Sequence, residues 1–239
     1  MTRQQFRRGL LWTLIALLAI SLLPVILLRW LPPPGSAVIW QRTLSEDRVQ
    51  DQRWVPLRDI APAMALAVVA AEDQKFPDHW GFDLASIREA TRSHARGGRL
   101  RGASTLTQQV ARNLFLWQGR SYFRKALEAW MSLLLELFWP KARILEVYLN
   151  IAELGNRTFG VEAAARRYFG ISAGGLSREQ AALLAAVLPS PRRLRVDNPS
   201  GYVLERRDWI LGQMQQLGGT AYLAGILPSA GESPPISPD

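Results

Sequence analysis

Residues 9–28 contain no charged side chain, and about 20 apolar residues suffice to cross a bilayer as a helix. Pro24 falls inside this run, an interruption that a membrane helix tolerates. Later apolar stretches are shorter and periodic. Residues 63–71, Ala-Met-Ala-Leu-Ala-Val-Val-Ala-Ala, are uncharged and rich in good helix formers, so the pattern predicts a core-packed helix that delivers Glu72 at its wet end. Leu127, Met131, Leu134 and Phe138 fall at helical spacing over residues 122–139, and Pro140 ends that element or starts the next at its first turn. Ile144, Val147, Tyr148 and Ile151 share one side of a helix over 141–152. Ser177-Arg178-Glu179-Gln180 has the spacing of a cap ahead of a buried helix over 181–188. Ser104 or Thr105 is placed to cap a helix over 106–116.

Between these elements the chain changes character. The Pro-Pro-Pro run within residues 31–35 cannot continue a helix and reads as a stiff extended spacer. Residues 36–53 alternate charge and polarity and form a lead-in of open structure. Residues 97–102, Gly-Gly-Arg-Leu-Arg-Gly, make a flexible basic loop. The proline-rich tail from residue 227 lacks apolar periodicity and is expected to be disordered.

Arg3, Arg7 and Arg8 precede the apolar run and only Arg29 closely follows it, so the positive-inside rule keeps the N-terminus cytoplasmic and exports the rest. Trp12 and Trp30 stand at its two ends, where an aromatic belt is expected. Gly35-Ser36-Ala37 offers small residues for a signal peptidase, but the apolar run is longer than the 7–15 residues of a signal peptide core, which favours an uncleaved anchor. The chain has no cysteine, so disulfides, thiolate catalysis and Cys-based metal sites are excluded. A net charge of +9 calls for an anionic partner. Beside a membrane, headgroups and lipid pyrophosphates fit that charge better than nucleic acid.

The polar chemistry is concentrated in three clusters. The first is Glu72-Asp73-Gln74-Lys75 with His79-Trp80-Gly81 and Asp83 close behind. A carboxylate half desolvated at a helix end becomes a stronger base. His79 is expected to bond backbone or Asp83 and shape the loop. The second cluster, Ser104-Thr105-Leu106-Thr107-Gln108-Gln109, carries donors and acceptors suited to a polyhydroxylated or phosphorylated ligand. The third sets Arg112, Arg120, Arg124 and Lys125 ahead of Glu128. Arg and Lys both suit phosphate, Arg with a bidentate fork.

Taken in order with residues 144–150 (Ile-Leu-Glu-Val-Tyr-Leu-Asn), Gly155 and residues 159–169 (Phe-Gly-Val-Glu-Ala-Ala-Ala-Arg-Arg-Tyr-Phe), these strings resemble the family 51 glycosyltransferases, the peptidoglycan polymerases, and most closely their monofunctional membrane-anchored members. The resemblance covers residues 55–214. It implies a mostly α-helical, lysozyme-like glycosyltransferase domain with a smaller flexible subdomain, behind a cytoplasmic segment over 1–8, a transmembrane helix over 9–31 and a lead-in over 32–54, and ahead of a tail over 215–239. It implies that Glu72 deprotonates the 4-hydroxyl of lipid II and that Glu128 helps hold the donor pyrophosphate, directly or through a divalent cation, Mg2+ or Mn2+. Asp73, Ser104, Thr105, Gln108, Gln109, Arg112, Arg120, Arg124, Lys125 and Tyr168 would bind substrate. Ala103 and Arg112 depart from the family pattern, which usually has glycine and lysine there. The implied partners are lipid II, nascent lipid-linked glycan, the inner membrane, division or elongation proteins and a separate transpeptidase, since the roughly 25 residues after Met214 fall short of a usual domain of at least ~50 residues.

Bond chemistry separates this activity from its neighbours. Hydrolysis of a glycan requires one carboxyl as acid for a poor leaving group and a second as base or nucleophile. Transfer from a lipid pyrophosphate needs one base and cationic support, because its leaving group departs as a stabilised anion. Clustered Arg and Lys therefore favour a polymerase over a lytic enzyme of similar fold. Glu72 and Glu128 argue against a non-catalytic scaffold of the division machinery.

Overall fold

The computed structural model describes residues 3–46, 50–83, 88, 104–119 and 121–228. Its first helix, α1 (Arg3–Leu27), is the apolar run. Trp12, Leu17 and Ile20 stand exposed along it, a surface suited to hydrocarbon. Its final turns meet protein. Val25 is fully buried, and Leu22 and Leu28 pack against the domain core.

Polar groups lock this junction. Trp139 Nε1 donates to the Val25 carbonyl at 2.6 Å, and the Arg29 guanidinium donates to the Phe138 carbonyl. Arg143 donates through Nε and Nη2 to the Leu28 carbonyl, at 3.1 and 2.9 Å, and through Nη2 to the Leu31 carbonyl. Carbonyls at a helix C-terminus lack intrahelical partners and carry partial negative charge, so a guanidinium there satisfies both needs. The Trp54 and Trp139 rings lie 5.2 and 5.7 Å from that guanidinium, and Glu146 neutralises it. The expected stiff spacer is therefore replaced by a docked joint. Pro33 is buried, and the Trp40 indole folds so close to Gly35 that a Cβ there would lie 2.5 Å from Nε1.

The lead-in also acquires structure. The Ser36 hydroxyl accepts from the Ile39 N–H at 3.2 Å and opens α2 (Ala37–Glu46), whose Val38 and Ile39 pack on Phe159. β1 (Asp51–Gln52) pairs in parallel with β3 (Thr158–Phe159), which runs antiparallel to β2 (Glu153–Gly155), giving the order β1-β3-β2. Strands of two or three residues are too short for alternation to announce. Asn150 ties this edge down, accepting from the Val55 N–H and donating to the Val55 carbonyl, both at 2.8 Å.

The centre of the domain is α3 (Pro62–Glu72), with Pro62 at its first turn, where a missing N–H costs nothing. Every residue from Met64 to Ala70 is buried, the mark of an interior helix. After it come α4 (Leu106–Phe115), α5 (Tyr122–Phe138), α6 (Lys141–Ile151), α7 (Val161–Phe169), α8 (Arg178–Ala186) and α9 (Gly201–Gln216). α8 and α9 pack on α3, while α4 packs between α5 and α6. Thr105 and Ser177 each close a full capping box, and Ser121 caps α5. Pro140 separates α5 from α6 as the residue ahead of α6.

The core continues past Met214. A short helical turn over Gly219–Leu223 buries Leu223, and the Tyr222 hydroxyl donates to the Gln74 carbonyl at 2.7 Å. The basic loop over 97–102 and the tail over 229–239 lie outside the described residues.

The docked joint has a thermodynamic consequence. Deleting residues 1–30 uncovers the Val25 and Leu28 socket and strips carbonyl partners from Trp139 and Arg143. The truncated protein is expected to melt several degrees below the full chain in the same detergent, since 1 kcal/mol shifts Tm by roughly 2–4 °C in a domain of this size. Arg143→Met should lower Tm in the same direction with the anchor still present. Coincident melting curves for all three proteins would show that the joint contributes nothing to stability.

Candidate active site

Glu72 is the last residue of α3, and its side chain is 18 % exposed. A carboxylate at a helix C-terminus meets the negative end of the dipole, and burial removes water from it. Burial is the main cause that pushes its pKa above the ordinary value. The Gln109 hydrogen bond, then Arg206 and Arg112, pull it back, while Asp73 pushes it further up.

Gln109 comes from α4 and donates through Nε2 to Glu72 Oε2 at 3.1 Å. Its own orientation is fixed from α6, because the Tyr148 hydroxyl donates to Gln109 Oε1 at 3.4 Å. Burial holds the Tyr148 phenol well above its usual pKa, so it stays a donor and turns the amide nitrogen toward Glu72. From the other side, Arg206 on α9 places Nη2 3.4 Å from Glu72 Oε1.

Two cavities meet around this carboxylate. One, of about 270 Å³, is lined by Glu72, Lys75, Asp83, Ser104 and Trp209, with Asp73 and Thr105 in its wall. The second, of about 390 Å³, holds Gln109, Arg112, Asn113, Arg124, Tyr148 and Arg42. Gln109 thus lines the second cavity while bonding the carboxylate of the first. Arg42 and Arg124 each keep a buried Nε with no hydrogen-bond partner among the described residues. Arg42 is also held by Glu153 at 3.6 Å, while Arg112 and Arg124 add their charge to the same lining.

Several residues expected at the substrate have their polar groups turned inward to protein partners, although Asp73 and Thr105 also line the Glu72 cavity. Asp73 accepts from His79 Nε2 at 2.9 and 3.0 Å and from the Leu106 N–H at 2.9 Å. It therefore anchors the start of α4, and His79 pairs with Asp73 rather than with Asp83, which pairs with Lys75. The Thr105 hydroxyl donates to the Gly81 carbonyl at 2.7 Å and accepts from the Gln108 N–H. Gln108 Oε1 in turn accepts from the Thr105 N–H. Both side chains are spent on the capping box. Ser104 lies in the Glu72 cavity, apart from the cationic one. The Tyr168 hydroxyl presses on Gly155, where a Cβ would come within 1.8 Å of it, and the ring lines neither cavity.

Glu128 is 1 % exposed, and its two oxygens are taken by Arg124 (2.9 Å) and Lys125. It is a counter-ion within α5, not an open ligand. That donor set does not fit a divalent cation, and no group of three or more His, Asp or Glu side chains that could hold a metal ion occurs among the described residues. Arg120 lies outside the described residues.

Sequence reasoning missed Arg42, Arg206, Trp209 and the orienting role of Tyr148. Arg206 and Glu72 are 134 positions apart, so no local pattern links them. Arg42 sat in a segment read as an undefined lead-in.

A family model described as Transglycosylase matches residues 39–215. A protein of Pseudomonas fluorescens named biosynthetic peptidoglycan transglycosylase is 53 % identical, covering 93 % of this chain and 95 % of its own. Proteins of the same name from Stutzerimonas stutzeri and Ectopseudomonas mendocina are each 54 % identical over 92 % of this chain, covering 91 and 93 % of their own lengths.

Asp73 is the sharpest test of the inward reading. Asp73→Ala leaves the Leu106 N–H and His79 without their acceptor, and an unsatisfied buried group costs about 1–3 kcal/mol. The variant is expected to melt clearly lower than wild type. An unchanged Tm with a raised KM would return Asp73 to the substrate.

Proposed function

The chain belongs to the transglycosylase family, and from that membership we propose how its two cavities divide the reaction. The protein is a peptidoglycan glycosyltransferase of cell-wall synthesis, acting on lipid II and lipid-linked glycan. The observation that carries the division of labour is the Gln109–Glu72 bond at the border of an open cavity and a cationic one.

In this reading the acceptor, lipid II, enters the Glu72 cavity and the lipid-linked end of the growing glycan enters the cationic one. Glu72 takes the proton of the acceptor's 4-hydroxyl. The freed oxygen attacks the anomeric carbon, and the bond from that carbon to the pyrophosphate breaks with its electron pair going to undecaprenyl pyrophosphate. A single displacement on an α-linked donor gives a β-1,4 link. The leaving group is already an acid anion, so no general acid is required. Preorganised cations stabilise the charge that develops on it. Arg112, Arg124 and Arg42 face that position, and their placement in one cavity supports the assignment. Arg120 and Lys125 join them by family resemblance. Glu128 positions Arg124 and Lys125 rather than touching the donor. A divalent cation, Mg2+ or Mn2+, would then travel with the donor pyrophosphate instead of being caged by protein carboxylates.

The N-terminal apolar helix is a membrane anchor. We place its N-terminus in the cytoplasm and the catalytic domain outside the inner membrane, because Arg3, Arg7 and Arg8 precede the helix. Division or elongation proteins and a separate transpeptidase are the partners this placement invites.

Glu72→Gln keeps the shape and removes the proton acceptor. Lipid II polymerisation is expected to fall by about 10²- to 10⁴-fold, the usual contribution of a positioned base, while a phosphoglycolipid inhibitor still binds. Near-normal turnover would end the assignment. Arg124→Ala and Glu128→Gln should instead weaken that inhibitor, by an amount on the order of 2–5 kcal/mol for a broken desolvated charge pair.

The acid limb of the pH profile provides an independent check. Glu72 must be ionised to act, so kcat/KM should fall as pH drops through its raised pKa, with an inflection above 4.5. Gln109 and Arg206 both lower that pKa. Gln109→Ala and Arg206→Ala are therefore expected to move the limb to higher pH, and a limb that stays in place in both variants contradicts the electrostatic reading.

A further inference from the structure

On α9, Tyr202, Arg206 and Trp209 are spaced by four and three residues, which puts them on one face of the helix. The buried residues of the same helix, Val203, Ile210 and Met214, point elsewhere. Tyr202 is 55 % and Trp209 47 % exposed. Scattered exposed aromatics are ordinary, but this pair borders the reaction centre. Trp209 lines the Glu72 cavity and also a shallow groove of about 250 Å³ formed with Tyr202, Glu205 and Arg206. Arg206 joins the two elements. It reaches Glu72 with Nη2, its guanidinium carbon lies 5.9 Å from the Trp209 ring centre, and its buried Nε has no hydrogen-bond partner among the described residues.

A pyranose ring has a flat face of C–H bonds and a rim of hydroxyls. An exposed indole offers the matching flat apolar surface, and a convergent set of polar groups fixes orientation. A sugar laid on Trp209 would keep its hydroxyl rim directed along the cavity wall toward Glu72. A second ring would continue over Tyr202, with Arg206 and Glu205 lining the groove between the two aromatic side chains.

We propose that Trp209 and Tyr202, joined through Arg206, form a stacking platform that binds the sugars of the acceptor and sets which acceptors reach the base. This platform rests on the reading of the Glu72 cavity as the acceptor side. It makes Trp209 a specificity residue that holds the acceptor, while the proton transfer stays with Glu72.

The test measures lipid II concentration dependence during polymerisation by the full-length protein, for Trp209→Ala, Trp209→Phe and Tyr202→Ala. Trp209→Ala is expected to raise KM about tenfold, the lower end of what losing an aromatic stacking partner costs a planar ligand, with kcat within about twofold. Trp209→Phe should recover most of the loss, and Tyr202→Ala should raise KM less. Affinity for the phosphoglycolipid inhibitor, which reports the donor side, should stay at the wild-type value in all three. A KM unchanged in Trp209→Ala overturns the proposal. So does a fall in kcat with a displaced acid limb and unchanged KM, because Trp209 would then act only by holding Arg206 against Glu72. Loss of inhibitor binding in Trp209→Ala overturns it as well, since the effect would not belong to the acceptor. Failure of the underlying reading looks different: Glu72→Gln would turn over normally, whatever Trp209 does to KM.

Discussion

A carboxylate at the C-terminal end of a largely buried helix is disfavoured twice, by the helix dipole and by lost hydration. The domain is arranged around keeping Glu72 there. α3 is interior along Met64 to Ala70, so its end cannot drift without disturbing the packing of α8 and α9. The next residue, Asp73, leaves the helix and caps α4. That bond fixes the position of Gln109 one turn further along α4, and Gln109 donates back to Glu72. A closed loop of interactions thus runs from α3 to α4 and home again. Arg206 completes the set from α9. The carboxylate is left raised in pKa and held in one orientation, the two conditions a general base needs.

The anchor imposes a constraint of a different kind. A flexible tether would let the cleft face the bilayer at any height and angle. Here the carbonyls at the end of α1 are held by Arg143, whose α6 also carries Tyr148. Through Tyr148 and Gln109, the helix that grips the end of α1 is the helix that orients Glu72, the proposed base. For a substrate whose reacting sugar is attached to a lipid, the height of the catalytic group above the membrane is part of the active-site geometry. A rigid joint removes the conformational search that a loose linker would add to each encounter.

What was legible in the sequence follows the range of the interactions. The interior helix ending at Glu72, the caps at Thr105 and Ser177, and the Pro140 break are all set within a few residues, and the pattern shows them. The direction in which a polar side chain points is not local. Ser104 and Thr105 are adjacent hydroxyl residues in the lining of one cavity, yet the Thr105 hydroxyl is already engaged by Gly81 and Gln108. Asp73 lines the same cavity, yet its carboxylate is held by His79 and Leu106, which become its neighbours only when the loop closes. Glu128 is a case where a local rule was available. Arg124 and Lys125 precede it by four and three residues on one helix, the spacing at which opposite charges pair, so both its oxygens were already spoken for.

That pairing bears on the proposed donor site. Arg124 and Lys125 are neighbours in sequence, and two cations beside each other repel. A buried Glu128 between them offsets that repulsion while leaving a net positive charge beside the cavity that Arg124 lines. In the proposed reading the clamp is therefore assembled before the pyrophosphate arrives. Reorganisation, which water would have to undergo around a departing anion, is already complete in the protein. Burying Glu128 carries a desolvation cost, but removing its charge would leave the two cations free to separate. In the proposed reading the buried carboxylate acts by fixing where positive charge sits, without contacting the reacting atoms.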